Sequence, residues 1–586
     1  MFPMATFQPT LDPLGSVTAS ALVALIPILV MLLTLGVLKW KAHLAGLASL
    51  LAALLVAVLA FRMPVGLAGL SALQGAAFGI FPITWILLAA IWMYDITVVS
   101  GRFEDLRSTF SLISDDPRVL GILVAFCFGG LLEALAGFGA PVAITSVMLV
   151  AIGYSPLRSA LTVLLANTAP VAFGAIATPI IMAGNVSGLD YHRIGAFVGR
   201  QTAILALIVP FLMLLLIDGR KGLKQIWPAA LVIGGVFSAA KWVTSSYVSV
   251  ELTDVIASLL GIAAGVILMR FWKPAGSAEA RERIARRMTG EPASVLTKEP
   301  AVADPAEPAG GRIARVTGEP ASVLTKEPAV ADPKQLTGGR IAMALVPYIL
   351  VVVLFSLSNL VHPIQHALAS TDITFGWPGL GGHILDASGA KVGRTNFKLG
   401  LLSSPGTLLA IVGIITAAIY RVHPRAVLGS LGRNLKKLRF TALTIVSVVA
   451  LAYVMDFSGQ TVTIGTWIAG TGVVFAFLSP ILGWLGTYVT GSDTTANALF
   501  AGLQSTVGKQ IGLDPFLTTA SNASGGVLGK MISPQNLAIA ATSVGLIGQE
   551  SLILRRIIGW SLGLLVVLCL LAGLMSTPIL GWLLPA

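Results

Sequence analysis

Two short stretches of this sequence place polar chemistry inside apolar surroundings. The first is Leu132-Glu133-Ala134-Leu135-Ala136-Gly137-Phe138-Gly139-Ala140-Pro141, within an apolar region over residues 119–150. The second is Thr490-Gly491-Ser492-Asp493-Thr494-Thr495-Ala496-Asn497, in the C-terminal half. A carboxylate in hydrocarbon is costly unless it is protonated, hydrogen-bonded or paired. A carboxyl that resists ionising when dry, and ionises when water enters, is suited to carry a proton. That is the chemistry expected of Glu133 and Asp493, against the blander reading of a protonated acid bonded to loop backbone. Asp95 and Asp456 sit near the ends of apolar runs and read as interfacial.

The residues around the two acids suit a small anion. Glycine and proline breaks leave backbone N–H groups unpaired, and helix N-termini add partial positive charge. Gly137 and Gly139 would let backbone approach a ligand with no side chain between. Ser492, Thr494, Thr495, Asn497, Asn522 and Asn167 could hydrogen-bond a carboxylate or hydroxyl. The competing reading is that the glycines serve close helix packing. The Asn167-Thr168-Ala169-Pro170 interruption, repeated at Thr178-Pro179, fits a site and fits simple capping of loose backbone equally well. Lys530 is suited to pair with a substrate carboxylate or to snorkel to an interface.

The elements that must hold these residues follow from composition. The 586 residues are 56% hydrophobic and 11% charged, with a mean hydropathy of +0.89. Soluble domains carry about 25% charged residues, and runs of about 18–22 apolar residues recur here at the length that crosses a bilayer. The expected class is an all-α polytopic membrane protein. The net charge of +12 resides in short loops between spans, as the positive-inside rule produces without a nucleic-acid partner. Cys127 and Cys569 lie far apart in apolar segments and suggest neither a disulfide nor a metal centre. The first twenty residues lack the basic region and cleavage site of a secretory signal, so the N-terminus is expected to be retained.

Charge also predicts orientation. Lys39 and Lys41 follow the first apolar run, which puts the N-terminus outside and the 39–43 loop inside. Arg102, Arg107 and Arg118 mark the inner side, as do Arg220, Lys221 and Lys224. Between those clusters the membrane must be crossed an even number of times, so residues 119–152 are expected to enter and leave on one side as a re-entrant hairpin. Parity demands the same of residues 464–503 around Asp493, entering from outside. The halves then share one order (three spans, a hairpin, a broken span, a plain span) with opposite insertion, an inverted repeat. The expectation is about twelve transmembrane helices plus two re-entrant hairpins, with both termini periplasmic.

The expected divisions are 1–219 for the first repeat, 220–272 for a connecting pair, 273–340 for a disordered cytoplasmic linker, and 341–586 for the inverted repeat. The linker is rich in Pro, Glu, Lys and Ala and cannot bury enough surface to fold. It carries a near-duplicate, Thr289-Gly290-Glu291-Pro292-Ala293-Ser294-Val295-Leu296 and Thr317-Gly318-Glu319-Pro320-Ala321-Ser322-Val323-Leu324, read as a tandem duplication without function. Residues 361–400 read as a polar, Gly-rich outer loop.

The chain resembles the L-lactate permease family, bacterial carriers of lactate and glycolate. The resemblance rests on Phe128-Gly129 and Glu133 through Ile144, on Asn167 through Ala175, on Gly491-Ser492-Asp493-Thr494 with Asn497 through Ala501, and on Met531-Ile532-Ser533-Pro534-Gln535. It implies import of 2-hydroxymonocarboxylates (L-lactate, with D-lactate and glycolate) together with protons across a bacterial inner membrane, without a cofactor. Glu133 or Asp493 would then carry the proton. The hairpin tips Gly137, Phe138, Gly139, Ala140 and Gly491, Ser492, Thr494, Thr495, Asn497 would cradle the substrate with Asn167, Thr168, Asn522, Ser533 and Gln535. Lys530 departs from the small polar residue the family leads one to expect. A sodium-coupled carrier of another small carboxylate is the alternative in the same class. An intramembrane aspartyl protease built on Tyr94-Asp95 and Asp493 is disfavoured, since Gly491-Ser492-Asp493 lacks that family's Gly-x-Gly pattern before the acid; an enzyme is not expected. A passive channel would show no accumulation against a gradient.

Overall fold

In hydrocarbon every backbone polar group must find an internal partner, so long apolar runs become helices. The computed structural model describes residues 6–38, 40–110, 113–137, 139–289, 337–385 and 395–585. Phe138, Lys39 and most of the duplicated segment, 290–336, lie outside the described residues. Among the described residues ten helices are long and apolar enough to cross a membrane, or eleven if the bent pair Pro156–Ala166 and Val171–Ser187 is one span. Their outward faces carry large apolar side chains such as Leu51, Leu55, Val566 and Leu570. The chain is an all-α polytopic membrane protein.

Two of the ten are pairs of arms run together. Tyr191–Tyr247 is continuous over 57 residues except at Gly219, which has φ +68°. The chain doubles back there, because Gly234 meets Pro210 and Gly199 meets Ser245. Gln460–Thr490 is likewise interrupted at Gly472, with φ +61°.

Residues 117–152 form a helical hairpin. Its arms are Pro117–Leu135 and Ala140–Ile152, and the open ends are tied where Tyr154 Oη donates to the Pro117 carbonyl at 2.7 Å. The turn needs left-handed backbone, and glycine supplies it at Gly137 (φ +55°) and Gly139 (φ +86°). Next come the broken helix, bent by 65° between Ala166 and Val171, and the helix that starts at Tyr191.

The same order recurs. The arms Phe475–Thr490 and Asp493–Gln510 turn at Gly491 (φ +74°). Pro515–Lys530 and Pro534–Ser543 make the second broken helix, and Glu550–Met575 follows. This hairpin starts later than the expected residue 464, because Gln460–Ile468 is a separate helix ahead of the Gly472 turn. The second hairpin grips its broken helix through glycine: Gly525 faces the Pro480 carbonyl, Gly529 that of Trp484, and Gly483 that of Asn522. A Cβ at any of the three would strike backbone, which is the small-residue packing of membrane helices.

A scaffold holds these units. Ala42–Leu59 and Val65–Val99 pack on the 34-residue helix Pro424–Phe457, with Gly75 so close that a Cβ would lie 2.7 Å from Ala450 Cα. Pro405–Ile419 lies along Trp85–Val99, joined by Trp85 Nε1 donating to Thr407 Oγ1 at 3.0 Å.

Two stretches read as irregular are partly ordered. Ser277–Thr289, assigned above to the linker, is helical. Polar contacts bind it to the base of the first hairpin. Arg283 bonds Asp218 at 2.8 Å, Ser277 bonds Asp116 at 2.8 Å, and the fully buried Arg118 reaches Asp116, Asp218 and the Ala275 carbonyl. Burial raises the cost of charge on Asp116, but the Arg118 guanidinium and Ser277 hydroxyl outweigh it and hold the carboxyl below its ordinary value. Within 361–400, His362–Ala369 is a helix and Ile373–Gly376 pairs antiparallel with Asn396–Leu399.

Candidate functional site

Both hairpin tips and both helix breaks converge on one cavity of about 280 Å³. From the first half it is lined by Glu133, Gly137, Val171, Gly174, Ala175 and Pro179. From the second half come Thr490, Gly491, Ser492, Asp493, Thr494, Thr495, Lys530, Gln535 and Asn536. His43 and Phe440, whose rings stack at 4.6 Å, line it from the scaffold with Ala42, Thr441, Thr444 and Ile445.

Glu133 and Lys530, 397 residues apart, form an ion pair at 2.5 Å across the two halves. Their side chains are 2% and 8% exposed. The other oxygen of Glu133 accepts from Asn167 Nδ2 at 3.0 Å. Lys530 lies in the last turn of Pro515–Lys530, where a cation complements the negative end of the helix dipole. Asp493 opens the helix Asp493–Gln510, whose N-cap is Ser492. Neither oxygen of Asp493 meets hydrogen-bond geometry with a described residue, although the Thr487 hydroxyl lies close by. Ser533 caps Pro534–Ser543 and accepts from the Asn536 N–H at 3.3 Å. Two helix N-termini, one ammonium and two carboxyls therefore share one small cavity. That set can hold one small anion and exchange a proton.

Other expected residues fall elsewhere. Gly139 and Ala140 start the second arm of the first hairpin, and Gly139 packs on Ile539 rather than lining the cavity. Thr168 donates to the Leu165 carbonyl at 2.6 Å and so caps the break. Asn497 accepts from Asn522 at 3.0 Å, Asn522 from Gln504 at 3.3 Å, and Gln504 from Ser479 at 2.7 Å. That buried chain knits the second hairpin to its broken helix.

The sequence reading missed Gly174, Ala175, Asn536, His43 and Phe440. Past Gly174, Ala175, Ile176 and Ala177 all take positive φ, from +44° to +56°. Non-glycine residues rarely adopt that conformation, and it clusters at functional sites. The one available signal was the Pro170 and Pro179 pair flanking this turn.

The sequence profile of the L-lactate permease family matches residues 20–579. The chain is 38% identical to the glycolate permease GlcA of Escherichia coli (strain K12), over 95% of its own length and 96% of that protein. It is 37% identical to an L-lactate permease of Bacillus subtilis (strain 168), over 97% and 98%, and 35% identical to one of Escherichia coli (strain K12), over 99% and 100%. The solved structure of the Alcanivorax borkumensis YdaH transporter aligns with 87% of the chain and 88% of that protein, at 14% identity and a TM-score of 0.43. With the profile spanning nearly its whole length and relatives matched end to end, the chain belongs to the L-lactate permease family.

Proposed function

We propose that this chain is a secondary active transporter importing L-lactate, D-lactate and glycolate by proton symport across a bacterial inner membrane. The relatives named as lactate and glycolate permeases support the substrate class. The observation that carries the coupling is the Glu133–Lys530 pair beside Asp493. With all three groups ionised the cluster holds one net negative charge. A monoanion would raise that to two, in a cavity where charge is poorly solvated. A proton arriving with the anion restores the original charge. It would neutralise Glu133, release Lys530 and leave the ammonium free to take the substrate carboxylate. Protonation of Asp493 would relieve the same repulsion.

The recurrent order of hairpin, broken helix and long helix supports an inverted repeat, with the tips inserted from opposite faces and both termini outside. Residues 1–219 and 341–586 are then the two repeats. The cavity would bind the substrate through the helix N-termini at Ser492 and Ser533, with Thr494, Thr495 and Gln535 placed for its hydroxyl. Uptake of labelled L-lactate into proteoliposomes tests the reading. A pH gradient should drive accumulation, glycolate should compete and acetate should not. Accumulation that needs a sodium gradient and ignores the pH gradient would replace the proton with sodium.

A further inference from the structure

Behind the first helix break lies another buried ion pair, which the transport reading leaves unused. Lys241 is fully buried and donates to Asp254 Oδ1 at 2.8 Å and Oδ2 at 3.1 Å. Its third bond goes to the Ala169 carbonyl at 2.7 Å, and its ammonium lies 4.6 Å from the centre of the Phe173 ring. Ala169 and Phe173 belong to the irregular stretch that separates the two halves of the broken helix. From this same stretch Asn167 bonds Glu133 at 3.0 Å, and Gly174, next to it, sits so near that a Cβ would come within 3.0 Å of Glu133 Oε1.

A helix that stops inside the membrane leaves its last carbonyls without partners and a partial negative charge at its end. Lys241 supplies a donor and a positive charge at that point, and Asp254 keeps the lysine charged away from water. Removing one partner of such a pair strands a buried charge, whereas removing both together is often tolerated. The helix Thr253–Phe271 also reaches the hairpin arm directly, since Ser258 Oγ would be 2.8 Å from a Cβ at Gly130, one turn before Glu133.

We infer that Lys241 and Asp254 are a positioning pair: they fix the break at 167–173 against Glu133 and thereby set the affinity of the site for its carboxylate. The inference rests on the transport reading for its affinity arm only. Its first test needs no substrate. A cysteine at Thr168, with Cys127 and Cys569 replaced by serine, is reacted with a small methanethiosulfonate in membranes. K241M/D254L, which removes both charges, should speed labelling at least tenfold, and K241R should leave it near the parent rate. In the second test, K241M/D254L should raise the KM for L-lactate more than tenfold with Vmax within about twofold, and adding N167A should raise it little further. An unchanged labelling rate overturns the proposal, as do losses that multiply with those of N167A. If K241M/D254L gives no inserted protein, the pair is a brace for the fold and the proposal fails. A parent protein that takes up no lactate, yet shows the labelling difference, would sink the transport reading and leave the positioning role standing.

Discussion

At the scale of single residues, the proposed cycle asks two incompatible things of Glu133, and Lys530 decides between them. While Glu133 is ionised it occupies the ammonium at 2.5 Å; once protonated it has no claim on it. Replacing Glu133 with Gln is therefore expected to abolish uptake driven by a pH gradient while preserving exchange of labelled for unlabelled lactate in counterflow assays. Unchanged gradient-driven uptake would reject the role. Replacing Lys530 with Met should weaken both modes, since a hydrogen bond to a charged group contributes about 1.5–3 kcal/mol, or roughly a ten- to hundredfold rise in KM measured by counterflow. The two acids were legible in the sequence because a carboxyl amid apolar residues is conspicuous. The partner of Lys530 was not, because nothing in a linear chain relates positions 133 and 530. Thr168 and Asn497 show the converse. Their residue types suit a ligand, but neither lines the cavity: Thr168 donates to the Leu165 carbonyl, and the Asn497 amide oxygen accepts from Asn522.

At the scale of elements, the first hairpin depends on its turn and on its base. Gly139 combines φ +86° with close contact to Ile539. Gly139→Ala should cost about 1–2 kcal/mol in backbone strain alone, and more if Ile539 cannot move. Thermal unfolding of the purified protein in detergent would register this as a lower midpoint. Tyr154→Phe strips the Pro117 carbonyl of its buried donor and should cost about 1–3 kcal/mol by the same measurement. The base also titrates. Because the Asp116 carboxyl is held below its ordinary value, its stabilising effect is complete above the unfolded carboxylate range near pH 4 and fades as pH falls through the lower folded value. Asp116→Asn should flatten the acid side of the stability profile and leave the neutral side's slope unchanged. The first hairpin was readable because charge parity required residues 119–152 to return to one side and the glycine–proline break marked where the chain could turn. The start of the second hairpin was misread by about eleven residues. Gly472 turns the chain within an unbroken apolar stretch, where hydropathy carries no boundary signal. The helix Ser277–Thr289 escaped notice because its stabilising partners, Asp116 and Asp218, are distant in sequence.

At the scale of the whole molecule, two like-ordered units meet at one cavity, bridged there by the Glu133–Lys530 pair. One proton carried with one monoanion leaves the charge of the cavity unchanged, so the proposed cycle moves no net charge. The membrane potential, which acts on a carried charge with about 2.3 kcal/mol per 100 mV, should then have no effect on uptake. Proteoliposomes given a potassium diffusion potential at fixed pH would test this, and accumulation under that potential alone would require a second proton. The Glu133–Lys530 pair bears on thrift as well as on binding. A carrier without cargo keeps its lysine fastened to the acid, with no anion present to take the acid's place. Under the proposed cycle the acid leaves the ammonium only when an anion replaces it, so an empty carrier would return without a proton and the gradient would be spent only on cargo.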